Sequence, residues 1–233
     1  MEGYCARFSK LHPPPKLFWQ PLRPWGYRCR RWRTKPTAAA AETPPNPLPG
    51  GPDNSWLDSL RARYKTTFDV ETHKNGNALV QGKNFLDNWR DAYNVPEKDV
   101  NLVMAVRGTG IPIVLTDAIW KKYRIGEQYG IIDPATKALS ERNLYIRANV
   151  QRGGPVTAEQ TVEALQARGA RFLVCMNTIH GATKKLVGAG LGTTEQIRSS
   201  LLGGIIPGVV IVPAMVIAFT LMEEKGVAYV YAG

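Results

Sequence analysis

Five short runs rich in apolar and other strand-favouring residues alternate with stretches of helical character, and this alternation constrains the fold more than any other feature. The runs span residues 64–70, 100–106, 170–175, 209–212 and 227–231. The run VNLVMAV at 100–106 is apolar at all but one position, as is typical of a parallel strand buried on both faces. The alternation therefore predicts a three-layer α/β/α fold around a five-stranded, mostly parallel sheet.

Helical spacing and capping signals lie between these runs. Leu79, Phe85 and Trp89 recur at helical spacing, and Pro96 ends the segment. Similar signals predict helices over residues 76–93, 116–123, 157–169, 178–186, 194–202 and 214–225.

The positive charge of the chain is unevenly distributed. The formal net charge is +11, and residues 1–50 hold nine Lys or Arg against two acids, whereas residues 51–233 hold 21 against 17. The region with the strand pattern is therefore only mildly basic, and no RNP, zinc-finger or helix-turn-helix motif accompanies the charge. We expect no nucleic-acid partner.

Residues 1–54 are predicted to stand apart from the domain at 55–233. This segment is rich in Pro and Arg, and its prolines leave no period of 2 or 3.6 residues. Arg30–Arg31 followed by the alanines at 38–41 is similar to a twin-arginine signal, but the apolar segment between such features is absent. Two interpretations stay open: a disordered leader, or a degenerate targeting segment. The location is correspondingly open between exported and cytoplasmic.

Residues 201–222 contain no charged side chain, and their length would suffice for a membrane span. Gly203–Gly204, Pro207–Gly208 and Pro213 interrupt the stretch. A short strand followed by a helix explains these interruptions better than one continuous helix, so no membrane span is predicted.

The chain has three cysteines: Cys5, Cys29 and Cys175. Only Cys175 lies in the predicted domain, which makes a disulfide framework improbable, and no spacing fits a metal site. A single cysteine in a domain is often a small buried apolar residue, and its position must distinguish that case from a reactive thiol.

Cys175 ends a predicted strand immediately before a helix. A thiolate at this place gains from the helix dipole and from free backbone N–H groups. Asn177 or Thr178 is the predicted cap of that helix, and His180 lies about one turn further on. Cys175 is thus a candidate catalytic residue with His180 as a weaker partner, and the packing alternative stays open.

Gly108, Thr109 and Gly110 follow the second predicted strand and form a candidate binding loop. Two glycines at a strand end are a weak phosphate signal, and a tight turn is the alternative. No nucleotide, P-loop, nucleophile-elbow or zinc motif occurs, so no cofactor is predicted.

Three blocks carry a resemblance to a known family: AVRGTGIPIVLTDAIWKKYRIGEQYGIIDPATKALSERNLY, LQARGARFLVCMNTIHG and GIIPGVVIVPAMVIAFTLMEEKGVAYVYAG. Together they resemble the DsrE-like family of bacterial proteins over nearly all of residues 68–232. The resemblance implies a five-stranded parallel sheet with flavodoxin-like layering and assembly into trimers or hexamers. It also implies a persulfide on Cys175, because sulfur-relay members share the strand–Cys-x-Asn-[ST] pattern. The WKKYRIGEQYGIIDPATK insertion resembles an exported, uncharacterised branch.

Two functions follow as hypotheses. The first is a sulfur carrier or sulfurtransferase that holds a persulfide on Cys175 and passes it to another thiol protein. The second is a non-catalytic module that binds a small ligand or assembles into oligomers, with Trp120, Tyr123, Tyr129 and Tyr145 lining a groove or subunit interface. Phosphate-linked catalysis lacks a motif.

Overall fold

The computed structural model of the chain describes residues 52–233. These residues form one five-stranded sheet with the order β4-β3-β2-β1-β5, and every neighbouring pair is parallel. The predicted sheet and its three-layer fold are confirmed. The strands are β1 (Tyr64–Thr72), β2 (Val100–Thr109), β3 (Arg171–Cys175), β4 (Val210–Val212) and β5 (Ala228–Tyr231). The leader prediction and Arg30–Arg31 lie outside the described residues.

Eight α-helices connect and cover the strands in the described part of the chain. They are α1 (Asn77–Asp91), α2 (Asp117–Tyr123), α3 (Ile125–Tyr129), α4 (Arg147–Val150), α5 (Val162–Ala167), α6 (Met176–Gly188), α7 (Thr194–Gly203) and α8 (Met215–Glu224). The helix predicted over 157–169 is divided in two. Thr161 has extended backbone and accepts a hydrogen bond from Ala164 N, so it caps α5 and separates it from a short 3₁₀ turn.

The direction of the crossovers determines which face each helix covers. From β1 to β4 the chain steps across the sheet in one direction, and α1, α5, α6 and α7 pack on one face. The chain then returns from β4 to β5 at the opposite edge. A right-handed crossover places α8 on the other face, where it packs with Trp56 and Leu57 of the 3₁₀ helix Ser55–Ser59.

The connections after β3 and β4 therefore leave the sheet toward opposite faces, which opens a crevice between them. Such a switch in direction is where open α/β sheets bind ligands. In this chain Cys175 ends β3 and Met215 begins α8, so the two residues meet at the switch.

The uncharged stretch 201–222 forms the end of α7, strand β4 and most of α8. Within residues 52–233, no helix has both the length and the apolar character that a membrane crossing requires.

Candidate functional site

A cavity of about 660 Å³ opens at the carboxyl ends of β1, β2 and β3. Its lining includes six residues singled out from the sequence: Gly108, Thr109, Tyr129, Cys175, Asn177 and Thr178. The other lining residues are His73, Arg107, Gln128, Gly181, Ala182, Lys185, Met215 and Val216. This cavity is the candidate functional site.

Cys175 lies at the inner end of this cavity. Its backbone takes the N-cap position of α6 with φ −83° and ψ 133°, and its side chain is only 5% exposed. The backbone N–H of Met215 donates a hydrogen bond to Cys175 Sγ at 3.4 Å. The sulfur therefore lies at the N-termini of two helices, α6 and α8, where negative charge is favoured.

The cap predicted for α6 is wrong. Neither Asn177 nor Thr178 caps the helix, because Cys175 occupies the N-cap position and the helix begins at Met176. Thr178 instead accepts a hydrogen bond from Gly108 N at 3.0 Å, which ties the carboxyl end of β2 to α6.

The predicted binding loop at 108–110 begins inside β2, and the backbone geometry at Gly108 requires glycine. Gly108 has φ +55°, and a Cβ there would lie 2.8 Å from Glu71 O. Gly110 is buried and donates to Glu71 O at 3.0 Å, so it supports the turn without reaching the cavity. Gly108 and Thr109 are exposed on the cavity rim.

His180 is exposed and does not line the cavity. The α6 residues that line it, at 177, 178, 181, 182 and 185, share one helical face, and 180 falls outside that face. The structure therefore does not bring His180 to Cys175.

The histidine in the cavity is His73, which the sequence reasoning missed. It follows β1 at the same end of the sheet, and that position is the signal that could have identified it. Burial lowers the pKa of His73 below its usual value of 6.5, opposed by a hydrogen bond to the backbone of Tyr129. Its Nδ1 lies 3.3 Å from the Tyr145 hydroxyl.

The cavity lining is basic. His73, Arg107 and Lys185 line it, and no carboxylate is among the lining residues. Arg107 is already paired with Asp69 at 2.7 Å and with Glu71 at 3.0 Å. Lys185 Nζ lies 5.3 Å from the ring centre of Tyr129, and burial raises the pKa of Tyr129 to about 12, so that phenol stays neutral. Because Arg107 is already paired, an anion bound in this cavity would be attracted chiefly by Lys185.

The aromatic groove predicted from the sequence is largely wrong. Trp120, Tyr123 and Tyr145 are buried in the main core, and Trp120 Nε1 donates to Pro112 O at 3.0 Å. Only Tyr129 of the four lines the cavity. Their burial also removes the exposed surface that would have made them a subunit interface.

No cluster of three or more His, Cys, Asp or Glu side chains with metal-binding geometry occurs within residues 52–233.

Comparisons with known proteins assign no family to the chain. The described residues form an α/β protein with an all-parallel five-stranded sheet. No family model and no curated protein matches the sequence. Among solved structures, the chain is similar to a protein of unknown function from Methanobacterium thermoautotrophicum, at 15% identity and a TM-score of 0.39. The alignment covers 72% of this chain and 98% of that one.

Proposed function

We propose that this protein carries sulfane sulfur as a persulfide on Cys175. The observation that supports the proposal most strongly is the hydrogen bond from Met215 N–H to Cys175 Sγ at the N-termini of α6 and α8. A thiolate and a terminal persulfide sulfur are both anionic acceptors, and both gain from this environment.

The proposed reaction transfers one sulfur atom without net oxidation. The Cys175 thiolate attacks the sulfane sulfur of a donor persulfide, R–S–S⁻, and a new S–S bond forms on Cys175. The donor's S–S bond breaks, and its electron pair leaves with the donor thiolate. An acceptor thiolate then attacks the outer sulfur, and Cys175 leaves as a thiolate.

The proposed acceptor is a thiol of another molecule. Cys175 is the free cysteine of the described residues, so no second cysteine is available there to resolve the persulfide. The Cys175-Met176-Asn177-Thr178 sequence resembles the persulfide setting of DsrE-like sulfur-relay proteins, which supports a partner thiol protein as acceptor.

Intact-protein mass spectrometry after incubation with polysulfide tests the proposal. Native protein should gain about 32 Da, the mass of one sulfur atom, and dithiothreitol should remove it. Cys175→Ser should abolish the gain, whereas Cys5→Ser with Cys29→Ser should keep it. A gain that survives Cys175→Ser, or native protein that takes up no sulfur at all, would overturn the proposal.

A non-catalytic ligand-binding module is the second candidate. Its support is the combination of a cavity of about 660 Å³, a typical size for small-molecule sites, with a thiol that is 5% exposed. Iodoacetamide distinguishes the two functions. Cys175 that reacts only after denaturation is a packing residue, and the cavity then serves binding alone.

A homo-oligomer, with the trimer or hexamer that the DsrE-like resemblance implies, is part of the proposal. Its support is the sheet edge at β5, where Tyr229, Val230 and Tyr231 are all exposed. An open edge strand with exposed apolar side chains is a ready template for pairing with another chain. Light scattering at micromolar concentration should give a multiple of the 25.8 kDa chain mass, and a monomer mass would contradict it.

A further inference from the structure

A second cavity of about 600 Å³ lies on the α8 face of the sheet, between α8 and the strands β1 and β5. We call it the α8 cleft. Among the described residues, only α8 and the 3₁₀ helix Ser55–Ser59 cover this face, whereas most of the other helices pack into the core on the opposite face. Phe219 and Val227 supply part of its apolar wall.

The hydroxyl of Thr67 has no hydrogen-bond partner among the described residues. Thr67 is 2% exposed, lines the α8 cleft, and has its Oγ1 buried from solvent. A buried hydroxyl without a partner is unfavourable, and buried polar groups are nearly always hydrogen-bonded. This hydroxyl is therefore a position where a bound molecule would supply the missing hydrogen bond.

The unbalanced charge of the cleft is negative. Arg107, the one cation in its lining, is paired with Asp69 and also with Glu71 nearby. Tyr229 donates a further hydrogen bond to Asp69 Oδ2 at 2.6 Å. Glu223 also lines the cleft and makes no ion pair among the described residues. The carboxylate of Glu223 is thus available to pair with a cationic ligand.

We propose that the α8 cleft binds a small organic amine whose apolar body separates an ammonium group from a hydrogen-bonding group. The ammonium pairs with Glu223, the hydrogen-bonding group reaches Thr67 Oγ1, and the body packs against Phe219. Ring faces of aromatic residues such as Phe219 and Tyr229 also attract ammonium groups. The volume of the cleft suits a molecule of this size.

The α8 cleft borders the Cys175 cavity, because Arg107 and Val216 line both, but Thr67 and Glu223 line the cleft and not that cavity. Thr67 and Tyr229 are partners in the parallel register of β1 and β5, so both side chains point to the α8 face. The outer edge of β5, in contrast, lies in the plane of the sheet. Pairing of edges between subunits would use the backbone groups of β5, whereas occupation of the cleft uses side chains on the α8 face.

Calorimetric titration with tyramine tests the proposal, because tyramine has an ammonium group at one end and a phenol at the other. Two matched analogues each lack one group: 2-phenylethylamine lacks the phenol, and tyrosol lacks the ammonium. Tyramine should bind saturably to the full chain with a Kd on the order of 1 mM or tighter. It should bind about three- to tenfold more tightly than either analogue.

Four variants, two at Thr67 and one each at Glu223 and Glu224, assign these differences to residues. Thr67→Val should remove the advantage of tyramine over 2-phenylethylamine, and Thr67→Ser should keep it. Glu223→Gln should remove the advantage over tyrosol, and Glu224→Gln, at the neighbouring exposed position outside the cleft, should leave it unchanged. Circular dichroism checks that each variant is folded.

The proposal is overturned if tyramine does not bind saturably, if tyrosol binds as tightly as tyramine, or if Glu224→Gln acts like Glu223→Gln. Each variant is judged by the ratio of the Kd values of two ligands. A substitution that weakens the binding of both ligands equally does not change this ratio, so the test stays valid.

Discussion

The backbone N–H of Met215 lies 3.4 Å from Cys175 Sγ and donates a hydrogen bond to it across 40 residues of chain. The contact exists because β3 ends beside β4. The connection after β4 leads to α8, which covers the face of the sheet opposite to α6. The sulfur therefore receives a donor from a helix that follows a different strand. This arrangement favours negative charge on the sulfur more than the N-terminus of α6 alone would.

Replacing Met215 by proline tests the role of this hydrogen bond. Proline has no N–H but is well tolerated at the first position of a helix, and Ala214 before it already has extended backbone. We expect Met215→Pro to slow alkylation of Cys175 by about three- to tenfold, the effect of losing one hydrogen bond to a developing charge. Stopped-flow kinetics with iodoacetamide measures the rate.

Met215→Ala is the matched control, because it also removes the buried side chain but keeps the N–H. The expected rate for Met215→Ala stays close to that of the unmodified chain. Equal rates in the two variants would show that packing of Met215, and not its N–H, governs the thiol.

Lys185 should make the Cys175 cavity selective for anionic reagents. Iodoacetate and iodoacetamide are similar in size, but only the first is an anion. Because no carboxylate lines the cavity and Arg107 is already paired, Lys185→Gln should lower the iodoacetate to iodoacetamide rate ratio about two- to fivefold.

Lys184→Gln provides the comparison, since Lys184 is equally exposed but does not line the cavity. The iodoacetate to iodoacetamide rate ratio of Lys184→Gln should equal that of the original chain. High salt screens charges, so it should reduce the effect of Lys185→Gln on this ratio. A similar decrease of the rate ratio in both variants would show that the overall positive charge of this surface, and not Lys185 in particular, attracts the anion.

Much of the fold and one part of the site could be predicted from the sequence. Strands that are buried on both faces have continuous apolar runs in the sequence. The sheet and the position of Cys175 at the end of β3 could therefore be predicted. His73 and the Met215 N–H could not, because they join the site only through crossovers that bring distant segments together. Trp120 and Tyr145 were misassigned because aromatic residues are common both in cores and at binding surfaces, and both of these pack into the core.

The ion pair of Arg107 with Asp69 should contribute strongly to stability. Asp69 is 1% exposed, and Arg107 donates to both of its carboxylate oxygens, at 2.7 and 2.9 Å. Arg107→Met leaves that carboxylate buried without a cation and should lower the free energy of unfolding by about 3–5 kcal/mol. Chemical denaturation measures the change.

Adding Asp69→Asn to Arg107→Met should restore part of the lost stability, because it removes the buried charge. As a control, Arg124→Met breaks an exposed pair with Glu127 and should cost at most about 1 kcal/mol. If Arg107→Met costs no more than Arg124→Met, the buried pair does not stabilise the fold in this way.

His73 should make stability depend on pH in a mildly acidic range. Burial lowers the pKa of His73 in the folded chain below the value of 6.5 that applies when the chain is unfolded. Above pH 6.5 both states hold a neutral imidazole and the free energy of unfolding does not change on this account. As the pH falls below 6.5, the unfolded state takes up a proton that the folded state resists, so stability decreases until the folded pKa is reached.

His73→Asn should flatten this decrease, because Asn keeps a polar group near the Tyr145 hydroxyl but does not titrate. Carboxylates with lowered pKa, such as Asp87 and Asp133, lose their contribution only at more acidic pH, which separates the two effects. Melting temperatures of both chains between pH 5 and 8 measure the difference, with His180→Asn as the exposed control. Parallel pH profiles for the original chain and His73→Asn would show that burial of His73 does not produce the dependence.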